Sequence, residues 1–254
     1  MRTSLIILLA LICIPAASAA GPWLGTATNG LGYTAVVHAG ATTVTDGAHS
    51  ISVSGKWGIP RVTLNNRVGG ASANGRVLVL AEDFEPTGEL RTSSSFAVLG
   101  TKPLAFRRTV VLKGDFGFDT LSPNGRTLYL IQHVSQRDIF SYRVRAYDLA
   151  HSRLLTRVIA DKRQRDWLMN GYPVARAATT DGRWVYTLYS NPNNYPFVHA
   201  LDTVHRTAVC IGIPWDWTAD QQAINNATLR VDGGRLKIGT LFSLDRATFK
   251  VSEM

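Results

Sequence analysis

One short pattern recurs along this chain and restricts what it can fold into. A small or hydroxyl residue is followed by a turn pair ending in Gly, usually an Arg, and then an alternating strand. The copies are Ser72-Ala73-Asn74-Gly75-Arg76-Val77-Leu78-Val79-Leu80, Ser122-Pro123-Asn124-Gly125-Arg126-Thr127-Leu128-Tyr129-Leu130 and Thr180-Asp181-Gly182-Arg183-Trp184-Val185-Tyr186-Thr187-Leu188. A degenerate fourth runs Val231-Asp232-Gly233-Gly234-Arg235-Leu236-Lys237-Ile238, and the glycines stand 50, 57 and 51 residues apart. Asn-Gly and Asp-Gly supply the two positive-φ positions of a type I′ hairpin. The period-two alternation of β-branched and aromatic residues after each turn predicts strands.

Each unit continues into a second hairpin. Tyr142–Leu149 with Leu154–Ile159, Phe197–Asp202 with Thr207–Ile211, and Phe96–Leu99 with Thr109–Leu112 are the counterparts. Four strands in about fifty residues is the size of one propeller blade. Such a sheet has two apolar faces and cannot bury both alone, which radial stacking solves. Tyr33–Trp57 reads as the later strands of another unit, and Leu236–Val251 leaves room for two or three short strands. The fold expected is therefore all-β, a β-propeller of about five four-stranded blades closed between its N- and C-terminal strands. A β-sandwich, or a pair of small barrels, is the alternative.

The unit beginning at Ser122 resembles the S-P-D-G-x-x-x-Y core of exported bacterial propellers of the YVTN and TolB-like, WD-repeat-like kind. Ala73 and Thr180 stand where Pro is usual in that pattern. The resemblance implies architecture over most of residues 30–252 and says little of activity, because such folds host many functions.

Residues 1–19 have the form of a signal peptide. Arg2 starts it, Leu5–Ile14 is apolar, Pro15 breaks the run, and Ala17-Ser18-Ala19 offers a cleavage site before Ala20. Ten apolar residues are too few to span a bilayer, which takes about twenty. Residues 20–254 are then a single domain, secreted or extracytoplasmic at the cell envelope, monomeric, with no membrane span after cleavage. Cys13 leaves with the signal, so Cys210 has no internal disulfide partner and reads as a buried, inert thiol. The fold must hold by packing and backbone pairing. The chain carries 27 basic against 18 acidic residues, a formal charge of +9. That excess draws an exported protein toward anionic polymers. The charges are scattered, with one cluster at Lys162-Arg163-Gln164-Arg165, and no nucleic-acid reading element accompanies them.

In a propeller the innermost strand of each blade lines the axis. Equivalence of the turns places these strands at Arg67–Ala71, Phe116–Leu121, Tyr172–Ala178 and Ile224–Leu229. Candidate ligand contacts are Arg67 and Arg176, whose guanidinium groups suit carboxylate, sulfate or phosphate, with Tyr172 and Asn225. Trp215 and Trp217, near Tyr195, have the chemistry of a sugar platform. Catalytic signatures are missing. There is no G-x-S-x-G elbow and no H-E-x-x-H, so no metal site or cofactor is expected, and His133 reads as an imidazole of a loop near a strand end. The expected role is a non-catalytic binding or interaction module for glycan, anionic or protein partners. The alternative is a polysaccharide hydrolase or lyase using Asp115 and Asp119.

Overall fold

The computed structural model describes residues 27–28, 32–64, 69–83, 89–162, 168–191, 194–216, 218 and 220–254. The leader 1–19, Arg67 and Trp217 lie outside the described residues. Strands follow one another as antiparallel meanders in five successive sheets. Sheet one is β1 (Ala27–Thr28), β2 (Thr34–His38), β3 (Ala41–Thr45) and β4 (Ser50–Ser54). Sheet two is β5 (Trp57–Gly58), β6 (Val77–Glu82), β7 (Ser93–Thr101) and β8 (Leu104–Lys113). Sheet three is β9 (Asp115–Leu121), β10 (Thr127–His133), β11 (Ser141–Asp148) and β12 (Arg153–Leu154), and β13 (Met169–Asn170) also pairs with β11. Sheet four is β14 (Tyr172–Ala178), β15 (Trp184–Asn191), β16 (Asn194–Asp202) and β17 (Thr207–Gly212). A short helix α1 (Gln221–Asn225) leads into sheet five, β18 (Leu229–Asp232), β19 (Arg235–Ile238), β20 (Phe242–Asp245) and β21 (Val251–Glu253).

The core explains this serial order. Side chains alternate across a strand, and in the second strand of the middle sheets both sets are apolar. In β6, Leu78 and Leu80 pack toward sheet one with Val44, Val53 and Trp57, while Val77 and Val79 pack toward sheet three with Phe116 and Phe118. In β10, Leu128 and Leu130 join that second cluster, while Tyr129 and Ile131 face sheet four with Tyr189 and Leu201. In β15, Tyr186 and Leu188 turn to sheet five, against Leu229, Leu236 and Leu244. Each of the four clusters thus lies between consecutive sheets. This arrangement is all-β and propeller-like, and it is not a sandwich of two facing sheets. Every described sheet uses consecutive strands, so none combines N- and C-terminal strands as the sequence reading expected.

The recurrent turns are not type I′. Gly75, Gly125 and Gly182 have positive φ (63°, 70° and 70°), but no Asn or Asp of these turns does. Each Gly instead ends a four-residue turn, donating its N–H to the carbonyl of Ser72, Ser122 or Thr179 at 2.8 Å. The Asn works through its side chain: Asn74 Oδ1 accepts from the Arg76 N–H at 3.1 Å and lies 2.8 Å from Ser72 Oγ. Ser72 Oγ in turn accepts from the Val77 N–H at 3.1 Å. This explains the hydroxyl–Asn/Asp–Gly order better than backbone conformation alone. The fourth copy differs, since Asp232 pairs with Arg235 across a two-residue bend. Two further expectations are corrected. Ile224 belongs to α1, because the Gln221–Asn225 segment buries Ile224 alone and closes one helical turn before β18 begins at Leu229. The expected Leu154–Ile159 strand is reduced to Arg153–Leu154 and one bridge, Val144 to Ile159.

Three turns pack on one another. The Asn74 N–H donates to the Pro123 carbonyl at 3.1 Å, and a Cβ on Gly182 would stand 2.5 Å from Ala73 Cβ. A Cβ on Gly125 would stand 2.5 Å from Val77 Cγ2, whereas one on Gly75 would meet nothing within 4 Å. Gly75→Ala therefore carries only the left-handed backbone cost, about 1 kcal/mol, while Gly125→Ala adds overpacking and should cost about 2–4 kcal/mol. Chemical denaturation of both variants checks this, and equal midpoints would contradict the packing of the turns.

Candidate functional site

The turns of sheets two, three and four are in mutual contact at one end, and a second set of polar side chains lies at the opposite end of sheets three and four. There β9 begins at Asp115 opposite His133, and β14 begins at Tyr172 opposite Ser190. The Leu64 N–H donates to the Pro173 carbonyl at 2.9 Å, tying the loop after β5 to this end of sheet four. Asp115 receives Arg91 Nη2 at 2.7 Å and Nε at 3.0 Å, with His133 Nδ1 at 3.5 Å. Burial alone would raise its pKa, but the His133 hydrogen bond and the Arg91 charge outweigh it and hold the carboxyl down at about 2. At the start of β14, the Tyr172 hydroxyl donates to Asn225 Oδ1 at 2.9 Å and accepts from Gln221 Nε2 at 3.0 Å. Gln221 also reaches Ser190 Oγ at 2.8 Å. Each of these two networks is engaged within itself, and the second, from Tyr172 to Ser190, forms a polar seam between β14, β15 and α1.

The sequence-predicted residues divide accordingly. Tyr172 and Asn225 come together in the seam. Arg176 and Asp119 are brought together elsewhere, buried between sheets three and four, where Arg176 bonds the Asp119 carboxylate and carbonyl and, at 3.0 Å, Thr187 Oγ1. Arg176 is 8% exposed, so its donors are taken up by the fold rather than offered to an anion. Trp215 is 3% exposed and packs edge-on against Phe242, which removes it from any surface platform. Asp115 and Asp119 stand four residues apart on β9, roughly 13 Å along a strand.

A groove missed by the sequence reading runs along β17, the outer strand of sheet four. It encloses about 620 Å³, within the range of ligand pockets. Residues 157–162 form one wall, β17 the floor, and Thr248 and Phe249 close the far side. Arg157, Lys162 and Arg206 line it, all exposed and none with a carboxylate partner among the described residues. The Asp161 carboxylate is turned inward and accepts the Cys210 N–H at 2.9 Å. Cys210 lines the groove half-buried, and β16–β17 pairing sets it directly opposite His199. Burial pushes the His199 imidazole down to about 4, so it is neutral at ordinary pH. The sequence signal existed: the hairpin Phe197–Asp202 with Thr207–Ile211 already fixes that register.

No family model matches this chain, and no curated protein does. Solved structures are similar. A prolyl endopeptidase, a β-propeller-containing protein, is 15% identical with a TM-score of 0.50, covering 91% of this chain and 33% of its own. A candidate 6-phosphogluconolactonase from Bacteroides uniformis is 16% identical, with a TM-score of 0.47 over 90% of this chain and 68% of that one. A candidate TolB from Agrobacterium tumefaciens is 12% identical, with a TM-score of 0.42 over 92% and 79%. At these identities the endopeptidase likeness shows the fold and nothing of activity, and this chain spans about a third of that protein. No helix among the described residues is long and apolar enough to cross a membrane.

The Asp115 ion pair predicts an acid-dependent stability. Its folded pKa lies below the unfolded value near 3.9, so its contribution is complete above pH 4 and is lost as pH falls through about 2. Asp115→Asn should lower stability at pH 7 by on the order of 2 kcal/mol, and the difference from wild type should shrink from pH 4 to pH 2. Denaturant titrations across that interval check the sign; a pH-independent difference would contradict it.

Proposed function

We propose that this chain is a five-bladed propeller, exported through residues 1–19, that acts as a non-catalytic binding module at the cell envelope or outside the cell. Its ligand is an anionic glycan or a similar polyanion held in the groove along β17. The observation that carries this reading is the set Arg157, Lys162 and Arg206, three exposed cations around one cavity without carboxylate partners among the described residues. Arginine offers paired donors to carboxylate or sulfate, and the excess of 27 basic over 18 acidic residues adds a favourable long-range field. The ring is supported by the meeting of turns from sheets two, three and four, which curves the stack around one line.

The carboxylates weigh against hydrolysis. A glycosidase needs one carboxyl with a raised pKa and a partner about 5–9.5 Å away. Asp115 is instead held at about 2, and Asp119 is consumed by Arg176. Binding of a polyuronate and a neutral oligosaccharide of equal length, measured at low and moderate salt, tests the proposal. Wild type should bind the anionic chain with affinity that falls as salt rises, and Arg157→Ala with Lys162→Ala should weaken it about tenfold or more, at roughly 1 kcal/mol per lost contact. Equal affinity in that double variant, or reducing ends released by wild type and lost in Asp119→Asn, would overturn it.

A further inference from the structure

Beneath the floor of the groove Cys210 meets two buried donors, an imidazole nitrogen and a thioether sulfur. Cys210 Sγ stands 3.5 Å from His199 Nδ1 and 3.9 Å from Met169 Sδ. His199 and Met169 are 2% and 1% exposed, whereas Cys210 is half-buried and lines the cavity. The His199 imidazole aims Nδ1 at the Cys210 sulfur, and its Nε2, on the other side of the ring, has no hydrogen-bond partner among the described residues.

Both separations from the Cys210 sulfur match coordination. Around one first-row ion, donors about 110–120° apart, at roughly 2.3 Å for sulfur and 2.0 Å for nitrogen, stand about 3.8–4.0 Å (S to S) and 3.5–3.7 Å (S to N) from one another. We propose that Cys210, His199 and Met169 form a three-coordinate site for a soft monovalent metal ion, Cu(I) or its surrogate Ag(I), entered from the groove.

The donor set selects the ion. Thiolate and thioether sulfur favour Cu(I), and a thioether is a poor ligand for zinc, calcium or magnesium. Among the described residues no three His, Cys, Asp or Glu side chains lie together in a way that could hold a metal, so the Met169 sulfur is what completes this set. Binding exchanges a proton for the ion: the Cys210 S–H bond breaks, an S–Cu bond forms, and one H⁺ leaves to solvent with no electron transferred. The local charge is unchanged by this exchange, so the nearby Arg157, Lys162 and Arg206 do not oppose it. Asp161, on the wall beside β17, holds the Cys210 backbone N–H.

The test uses the full chain carrying Cys13→Ser, so that Cys210 is its single thiol. Anaerobic titration with Cu(I) against a chromophoric chelator, repeated with Ag(I), should give one equivalent bound and one proton released. Cys210→Ser should abolish it, and the near-isosteric Met169→Leu should weaken it about 10–100-fold with an unchanged melting temperature in the absence of metal. X-ray absorption should show two sulfur ligands and one nitrogen. Stoichiometric binding that survives Cys210→Ser, an oxygen-dominated shell, or Zn(II) displacing Cu(I) at equal concentration would each overturn the site. Arg157→Ala with Lys162→Ala should leave Cu(I) affinity intact, which separates this site from anion binding.

Discussion

The architecture rests on strands that are apolar on both faces. A strand with one oily face can settle against a single partner layer, but Val77–Leu80 and Leu128–Ile131 present oil to both sides. Burying a Leu or Val side chain is worth about 1.5–3 kcal/mol, so leaving either face in water would forfeit most of what orders the strand. Serial stacking follows directly. Each of the three middle sheets supplies half of two cores, and chain order becomes spatial order. The second strand of a middle sheet is the hinge of this logic, since its alternate residues belong to different clusters.

Polar chemistry is then distributed by depth. Where sheets three and four press together, Arg176 and Asp119 satisfy each other and act as a tie within the fold. At the ends of β9 and β14, charged and amide groups are likewise engaged, with Arg91 clamping Asp115 and Gln221 bridging Tyr172 to Ser190. Where residues 157–162 cross beside β17, Arg157, Lys162 and Arg206 have no carboxylate partner among the described residues. The end where β9 and β14 begin is thus internally satisfied, and the groove beside β17 keeps donors to spare. Buried ion pairs are poor ligand sites, because desolvation has already been offset by the partner in place.

Much of the fold was legible because its information is local. Hydroxyl, Asn or Asp, and Gly at fixed offsets mark the turns, and alternation marks the strands, so most second hairpins could be placed by residue. The turn type was misread because Asn-Gly fits both a type I′ bend and a four-residue turn closed by side-chain bonds; flanking Ser72, Ser122 and Thr179 decide between them. Ile224 was misplaced because a five-residue helix with one buried side chain has no periodicity to detect. The candidate site was far less legible. Arg176 and Trp215 carry the right chemistry for ligands, yet burial, which depends on distant sheets, removed both. The groove arises from three segments separated by some forty residues each, and no local pattern announces it. The His199–Cys210 pairing is the exception, fixed by a hairpin register already visible in the sequence.

The claim that each sheet depends on its neighbour for a buried face is tested most directly by amide hydrogen exchange on the chain ended after Thr218. Removing sheet five strips the cover from Tyr186 and Leu188. The account predicts that protection of Trp184–Asn191 in β15 falls by at least about a hundredfold, a loss of roughly 3 kcal/mol of local stability, while Val77–Leu80 in β6 stays closer to its original protection. Full protection of β15 in the shortened chain would contradict it.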